Sequence, residues 1–233
     1  MANDYDAVAE AYTAETEHNL VNGYYERPAL LDLADDVRGR RILDAGCGSG
    51  PLLTSLRDRG ATVTGVDSSS AMLALARRRL GDDAALQLID LRDPLPFPDA
   101  AFDDVIASLV LHYLEDWSGP LTELRRVLVP GGRLIVAVDH PFQSQMQAPS
   151  GADYFALRPW SFTWNLGGRT APMTFWHRPL HAMTDAFTAA GFRITVVSEP
   201  PVAHGAREAF PDQVATMPSG AFLCFLFLVL EAV

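Results

Sequence analysis

Ile42-Leu43-Asp44-Ala45-Gly46-Cys47-Gly48-Ser49-Gly50 is the stretch from which the fold can be read. It reads as a buried strand running into a glycine-rich turn, with a helix starting at Pro51. Glycine has no Cβ, so the backbone can take positive φ and approach a ligand closely. In open α/β sheets, such a turn at the carboxyl end of a strand cradles a cofactor. The dinucleotide fingerprint G-x-G-x-x-G needs a third glycine where this chain has Pro51. Asp44, inside the motif, would also repel a pyrophosphate. The stretch therefore favours a cofactor with a cationic amino-acid end and no phosphate.

Leu43 to Gly50 resembles the glycine-rich motif of the class I S-adenosylmethionine-dependent methyltransferases, in particular the small-molecule, methyltransferase type 11-like group. The resemblance implies a Rossmann-like, doubly wound α/β fold. Its seven-stranded sheet is mostly parallel with an antiparallel last strand, in a three-layer α/β/α arrangement. It implies S-adenosyl-L-methionine as the cofactor, held by Asp44, Gly46, Cys47 and Gly48.

The following segments keep the family order. Thr62 to Asp67 reads as a second strand ending in an acid 21 residues after Gly46. Such an acid can accept both ribose hydroxyls, and NAD enzymes use one as well. Taken alone, Asp67 could equally begin the turn before the helix Ala71 to Leu80, where Ser68 to Ser70 offer an N-cap. Ser68 and Met72 are expected beside the cofactor. Leu86 to Leu91 reads as a third strand; the resemblance places Asp90 near the adenine amino group and Leu91 on the ring, whereas Asp90 alone could be a turn residue. Phe102 to Ser108 reads as the fourth strand. Ser108 and Leu109 then begin the segment to Trp117 that lines the methionine end in the family. Pro120 to Leu128 reads as an amphipathic helix with Pro120 near position N1. Arg133 to Val138 is apolar enough for a central fifth strand.

The N-terminal residues 1–36 are expected to form a helical cap over the cofactor. Tyr5, Val8, Ala9 and Tyr12 share one helical face. In the family a tyrosine there approaches the methionine carboxylate, which points to Tyr12 and then Tyr5. Arg27 near that carboxylate would be sound chemistry, and Tyr25 is expected nearby.

Residues 141–176 carry Phe142, Tyr154, Phe155, Trp160, Phe162, Trp164, Phe175 and Trp176, three of the four tryptophans among them. A long aromatic insertion at the carboxyl edge of the sheet suits a substrate lid. A small self-packed subdomain or a dimer contact would use the same residues. Tyr5, His112, Phe142, Trp160, Trp164 and Trp176 are the expected acceptor contacts. For a general base, His140 is the first candidate, because it follows strand five directly and its ordinary pKa suits proton transfer. His112 is expected at the cofactor or as a helix cap, and His177 and His181 flank a later helix start.

The 233 residues suffice for one domain, 1–233, and carry a net charge of −11. That balance argues against nucleic acid, which requires a basic surface. Arg77-Arg78-Arg79 is read as a solvated helix face. The first 20 residues contain no long apolar run, and the apolar run Ala221 to Leu230 is half of a membrane span and reads as a strand. Cys47 and Cys224 give no disulfide framework, and no spaced metal-ligand cluster is evident. The chain is thus expected to be cytoplasmic, without membrane, nucleic-acid or metal partners, and a monomer or homodimer acting on a small-molecule methyl acceptor. The preferred acceptor is apolar or aromatic, with O-methylation favoured. Two other functions fit less well: a protein using the same cofactor structurally or for another reaction, and an NAD-dependent oxidoreductase.

Overall fold

The computed structural model describes residues 3–166, 169–217 and 222–233. Its centre is a seven-stranded sheet in the order β3-β2-β1-β4-β5-β9-β8. The strands are β1 (Arg41–Ala45), β2 (Thr62–Asp67), β3 (Ala85–Leu88), β4 (Phe102–Ser108), β5 (Leu128–Asp139), β8 (Phe192–Ser198) and β9 (Phe225–Ala232). Strand β9 runs antiparallel between β5 and β8, while β1 to β5 pair in parallel. This is the doubly wound topology expected from the sequence. Ala221, the expected start of the last strand, lies outside the described residues.

Helices cover both faces. One core joins the sheet to α5 (Ser118–Val127) and α7 (Leu180–Ala189) through Leu121, Leu124, Val136, Phe187 and Leu228. The other joins it to α2 (Arg27–Ala34) and α3 (Pro51–Asp58) through Leu30, Ile42, Leu56, Ile135 and Phe227. Both use alternate residues of β5, as the two-residue strand period requires. Helix α4 (Ser70–Leu80) flanks the β2–β3 edge, and the short helices α8 (Ala206–Ala209) and α9 (Pro211–Ala215) precede β9. Among the described residues no helix is long and apolar enough to cross a membrane.

Some boundaries differ from expectation for local reasons. The third strand pairs only to Leu88, and the Asp90 side chain then accepts the Arg92 N–H in a turn. Helix α5 begins at Ser118, whose N–H and hydroxyl both donate to Asp116, so Pro120 sits third in the helix. It is tolerated because the first-turn N–H groups lack helical partners in any case.

The arginine run is not a bare solvated face. Arg78 pairs with Glu10, and Arg79 donates to both Glu17 oxygens and, at 3.1 Å, to the Ser49 carbonyl. These contacts bind α1 (Ala9–Thr16) to α4 and to the glycine loop. Residues 141–176 fold as a short helix, α6 (Pro141–Met146), followed by a separate antiparallel hairpin of β6 (Arg158–Leu166) and β7 (Arg169–His177). The inner hairpin residues Leu166, Ala171, Met173 and Phe175 pack with Val8, Tyr5 and Tyr12 of the N-terminal segment.

Candidate active site

The glycine loop is built by its neighbours. The Gly46 and Cys47 N–H groups both donate to the Val66 carbonyl, at 2.8 and 2.9 Å, which ties the turn to β2. Gly46 has φ +85°, and a Cβ there would meet Val110 Cγ2 at 2.6 Å. Gly48 has φ +53° with open space where a Cβ would stand. Asp67 closes the turn from the other side, accepting the Gly48 and Ser69 N–H groups at 2.8 Å each.

These residues border a cavity of about 650 Å³ between the carboxyl ends of the strands and the N-terminal segment. Its wall contains Tyr12, Arg27, Asp44, Gly46, Cys47, Gly48, Asp67, Ser68, Met72, Asp90, Leu91, Ser108 and Leu109, together with Tyr5 and Trp176. All the residues assigned to the cofactor from the sequence are thus brought together. Asp90 also pairs with Arg92, which holds its carboxyl below the ordinary range.

Reading the sequence missed Glu26. It is buried, lines the same cavity and accepts a hydrogen bond from the Ser108 hydroxyl. A signal was present: Glu26 shares a helical face with the buried Ala29 and Leu30, a face on which an acid is anomalous. Burial pushes its carboxyl up to about 7. Burial, reinforced by Glu26 and then Asp67, pushes Asp44 up to about 8. Neither Asp44 oxygen has a hydrogen-bond partner, and none of the three acids forms an ion pair among the described residues. An uncompensated buried acid cluster is unfavourable unless a cation joins it. The donor set therefore fits a ligand bearing positive charge and a diol, and does not fit a diphosphate.

A second cavity of about 370 Å³ adjoins the first, sharing Tyr12, Thr16, Asn22, Leu109 and Tyr113 in its wall. Leu109, at the junction, has φ +50°, a strained conformation for a branched side chain. Trp160, Trp164 and His112 line this second cavity. His112 has Nδ1 3.3 Å from the Asp139 carboxylate.

Two expectations are not met. Phe142 borders neither cavity: it is 49% exposed and stacks on Tyr154 at 5.6 Å. His140 borders neither as well. Its Nδ1 accepts the Phe142 N–H as the cap of α6, and Nε2 lies 2.8 Å from Glu199. The physical reason is the strand period. Asp139 continues the face of Ile135 and Ala137 towards the N-terminal segment, and His140 lies one residue beyond. His177 is likewise occupied, between the Ser144 hydroxyl at 2.7 Å and the Tyr154 carbonyl at 2.8 Å. Among the described residues no group of three or more acids, cysteines or histidines could hold a metal ion.

Residues 43–136 match the family model described as a methyltransferase domain. The match places a methyltransferase domain over those residues, with the glycine loop, Asp67, Asp90 and Ser108 inside it. An S-adenosylmethionine-dependent methyltransferase structure from Mesorhizobium loti is similar over 90% of this chain and 99% of its own, with TM-score 0.69 and 28% identity. Demethylmenaquinone methyltransferase from Thermus thermophilus is 42% identical over 115 residues, 47% of this chain and 52% of the relative. Malonyl-[acyl-carrier protein] O-methyltransferase from Erwinia pyrifoliae is 32% identical over 194 residues, 82% of this chain and 64% of the relative. The chain spans about half the length of the first of these curated relatives and less than two thirds of the second.

Proposed function

We propose that this protein transfers the methyl group of S-adenosyl-L-methionine to a small, uncharged apolar or aromatic acceptor seated in the second cavity. The observation that carries this reading is the unpartnered Asp44 carboxyl at the Gly46 loop, in a cavity that adjoins an aromatic one. The methyltransferase names of the relatives agree with the transfer. The bound cofactor supplies a methyl group already activated on a sulfonium.

The protein's own residues bind, orient and exclude water. Asp44 and Glu26 offer negative charge to the cationic end. Asp67 offers the lone pairs its two N–H contacts leave free to the ribose hydroxyls. Asp90 and Leu91 border the adenine side. The N-terminal segment lines both cavities, and the β6–β7 hairpin lends Trp176 to the first and Trp160 and Trp164 to the second, which suits them to exclude water. Holding two reactants in line in this way contributes up to about 7–11 kcal/mol.

Calorimetric titration with S-adenosylmethionine, S-adenosylhomocysteine and NAD tests the reading. Binding of the adenosyl pair and not of NAD is expected. Binding of NAD alone, or of none of the three, overturns it.

A further inference from the structure

Three buried polar atoms on residues lining the second cavity have no hydrogen-bond partner among the described residues: His112 Nε2, Asp139 Oδ2 and Trp160 Nε1. Each such atom is unfavourable when left unsatisfied in a buried site. Their shared location points to a ligand that satisfies them.

The hydrogen bonding assigns each atom a role. His112 Nδ1 accepts the Asp139 N–H at 3.1 Å, so the neutral ring carries its proton on Nε2 and donates there. Burial favours that neutral ring by lowering the pKa of His112, against the opposing effects of Asp139 and the Leu109 carbonyl. The Trp160 indole can only donate; the Asp139 carboxyl, which burial pushes above the ordinary range against the pull of His112, accepts in its ionised form. The cavity thus presents two donors and one acceptor.

The remaining wall specifies shape and charge. Trp160, Phe162 and Phe175 stack with interplanar angles of 19°, 25° and 7°. They present near-parallel faces suited to a planar ring. Among the described residues no arginine or lysine borders this cavity, so a carboxylate or phosphate on the acceptor would find no cation from them there.

We propose that His112, Asp139 and Trp160 form the acceptor-recognition site, and that the acceptor is a planar aromatic carrying a hydroxyl beside a second oxygen. Asp139 receives the hydroxyl proton, while His112 and Trp160 donate to the neighbouring oxygen. The new oxygen–carbon bond forms as the methyl carbon–sulfur bond breaks with its pair left on sulfur, and the proton passes from Asp139 to solvent. This inference rests on the methyl-transfer reading above and adds Asp139 to it as the base.

The test uses 2,3-dihydroxynaphthalene as probe and 2,3-dimethoxynaphthalene as control. Both are titrated calorimetrically into the protein saturated with S-adenosylhomocysteine. The dihydroxy compound is expected to bind about tenfold more tightly, the ratio set by one satisfied charged acceptor. Asp139→Leu, which has no acceptor, should abolish that preference and lower methyl transfer to the probe by about 10²-fold or more. Trp160→Phe keeps the ring and removes the N–H, and should weaken both compounds by a similar factor. Retained S-adenosylhomocysteine binding shows that each variant is folded. Equal binding of the two compounds to the wild type, or a preference that survives Asp139→Leu, overturns this proposal and leaves methyl transfer standing. Failure of S-adenosylhomocysteine itself to bind overturns both.

Discussion

The Ser108 hydroxyl at the end of β4 donates to the buried Glu26 carboxylate, joining the N-terminal segment to the sheet at the first cavity. Glu26 and Asp44 are both raised far above ordinary acids, to about 7 and about 8. The folded, ligand-free protein therefore holds more protons than the unfolded chain between about pH 4 and pH 8. Stability from these groups is fully present below about pH 4 and is lost as pH rises through about 7 to 8. The ion-paired acids Glu17 and Asp103 are lowered and act in the opposite sense below that window. Melting temperature without ligand should fall from pH 5 to pH 8, and Glu26→Gln should flatten the slope. A cationic ligand favours the ionised acids, so S-adenosylmethionine should bind more tightly as pH rises across the same range. An affinity that declines with pH would contradict this assignment.

Asp67 organises the turn and offers its remaining lone pairs to the cavity. Asp67→Ala removes both contributions, and S-adenosylhomocysteine affinity should drop by at least about tenfold, equivalent to roughly 1.4 kcal/mol. Asp67→Asn keeps the size and loses the charge, so its loss should be smaller. Calorimetry of the two variants decides, and unchanged affinity in Asp67→Ala would remove Asp67 from the ribose site.

The two loop glycines should fail differently. Gly46→Ala drives a Cβ into Val110 at a position with φ +85°, so the folded state itself should suffer. Gly48→Ala finds open space and carries only left-handed strain, roughly 1–2 kcal/mol. Its methyl would occupy the cavity, so it should remain folded by circular dichroism and lose cofactor affinity. Tight binding by Gly48→Ala would mean that the cofactor does not approach the loop there.

Much of this arrangement was legible because it is local. Strand, turn and acid follow one another within Ile42–Asp67, so spacing alone places Gly46, Gly48 and Asp67 on one edge. The acceptor side depends on contacts between distant segments, and spacing cannot supply them. Asp139 and His140 differ by one residue, yet the strand period gives one to the cavity and the other to α6 and Glu199. Glu26 was hidden for a related reason: an acid in a helix reads as exposed until the partner that buries it, here Ser108, is known. The arginine run read as solvent-facing because Glu10 and Glu17 lie about 60 to 70 residues away in sequence.

Asp104 provides a contrast away from the cavities. It is fully buried and clamped by Arg40 and Arg133, whose side chains bridge it from both sides of β4. Asp104→Ala leaves two arginines without their shared anion, and breaking such a buried cluster is unfavourable by roughly 3–5 kcal/mol. For a chain of this size the melting temperature should fall by about 6–20 °C. S-adenosylhomocysteine affinity at a temperature below the transition should be unchanged, because Asp104 borders neither cavity.

His140 separates a capping role from a chemical one. Its ring is 2% exposed, its Nδ1 accepts the Phe142 N–H, and its Nε2 meets Glu199. Removing an N-cap acceptor destabilises by about 0.5–2 kcal/mol. His140→Ala should therefore lower the melting temperature by a few degrees, and His140→Asn, which retains a cap acceptor, by less. Turnover per folded molecule should stay close to wild type in both, since the ring borders neither cavity. Steady-state kinetics alongside thermal melts distinguish the alternatives. Lost turnover with an unchanged melting temperature would return His140 to the chemistry, and the acceptor proton would then need a route to it past Asp139.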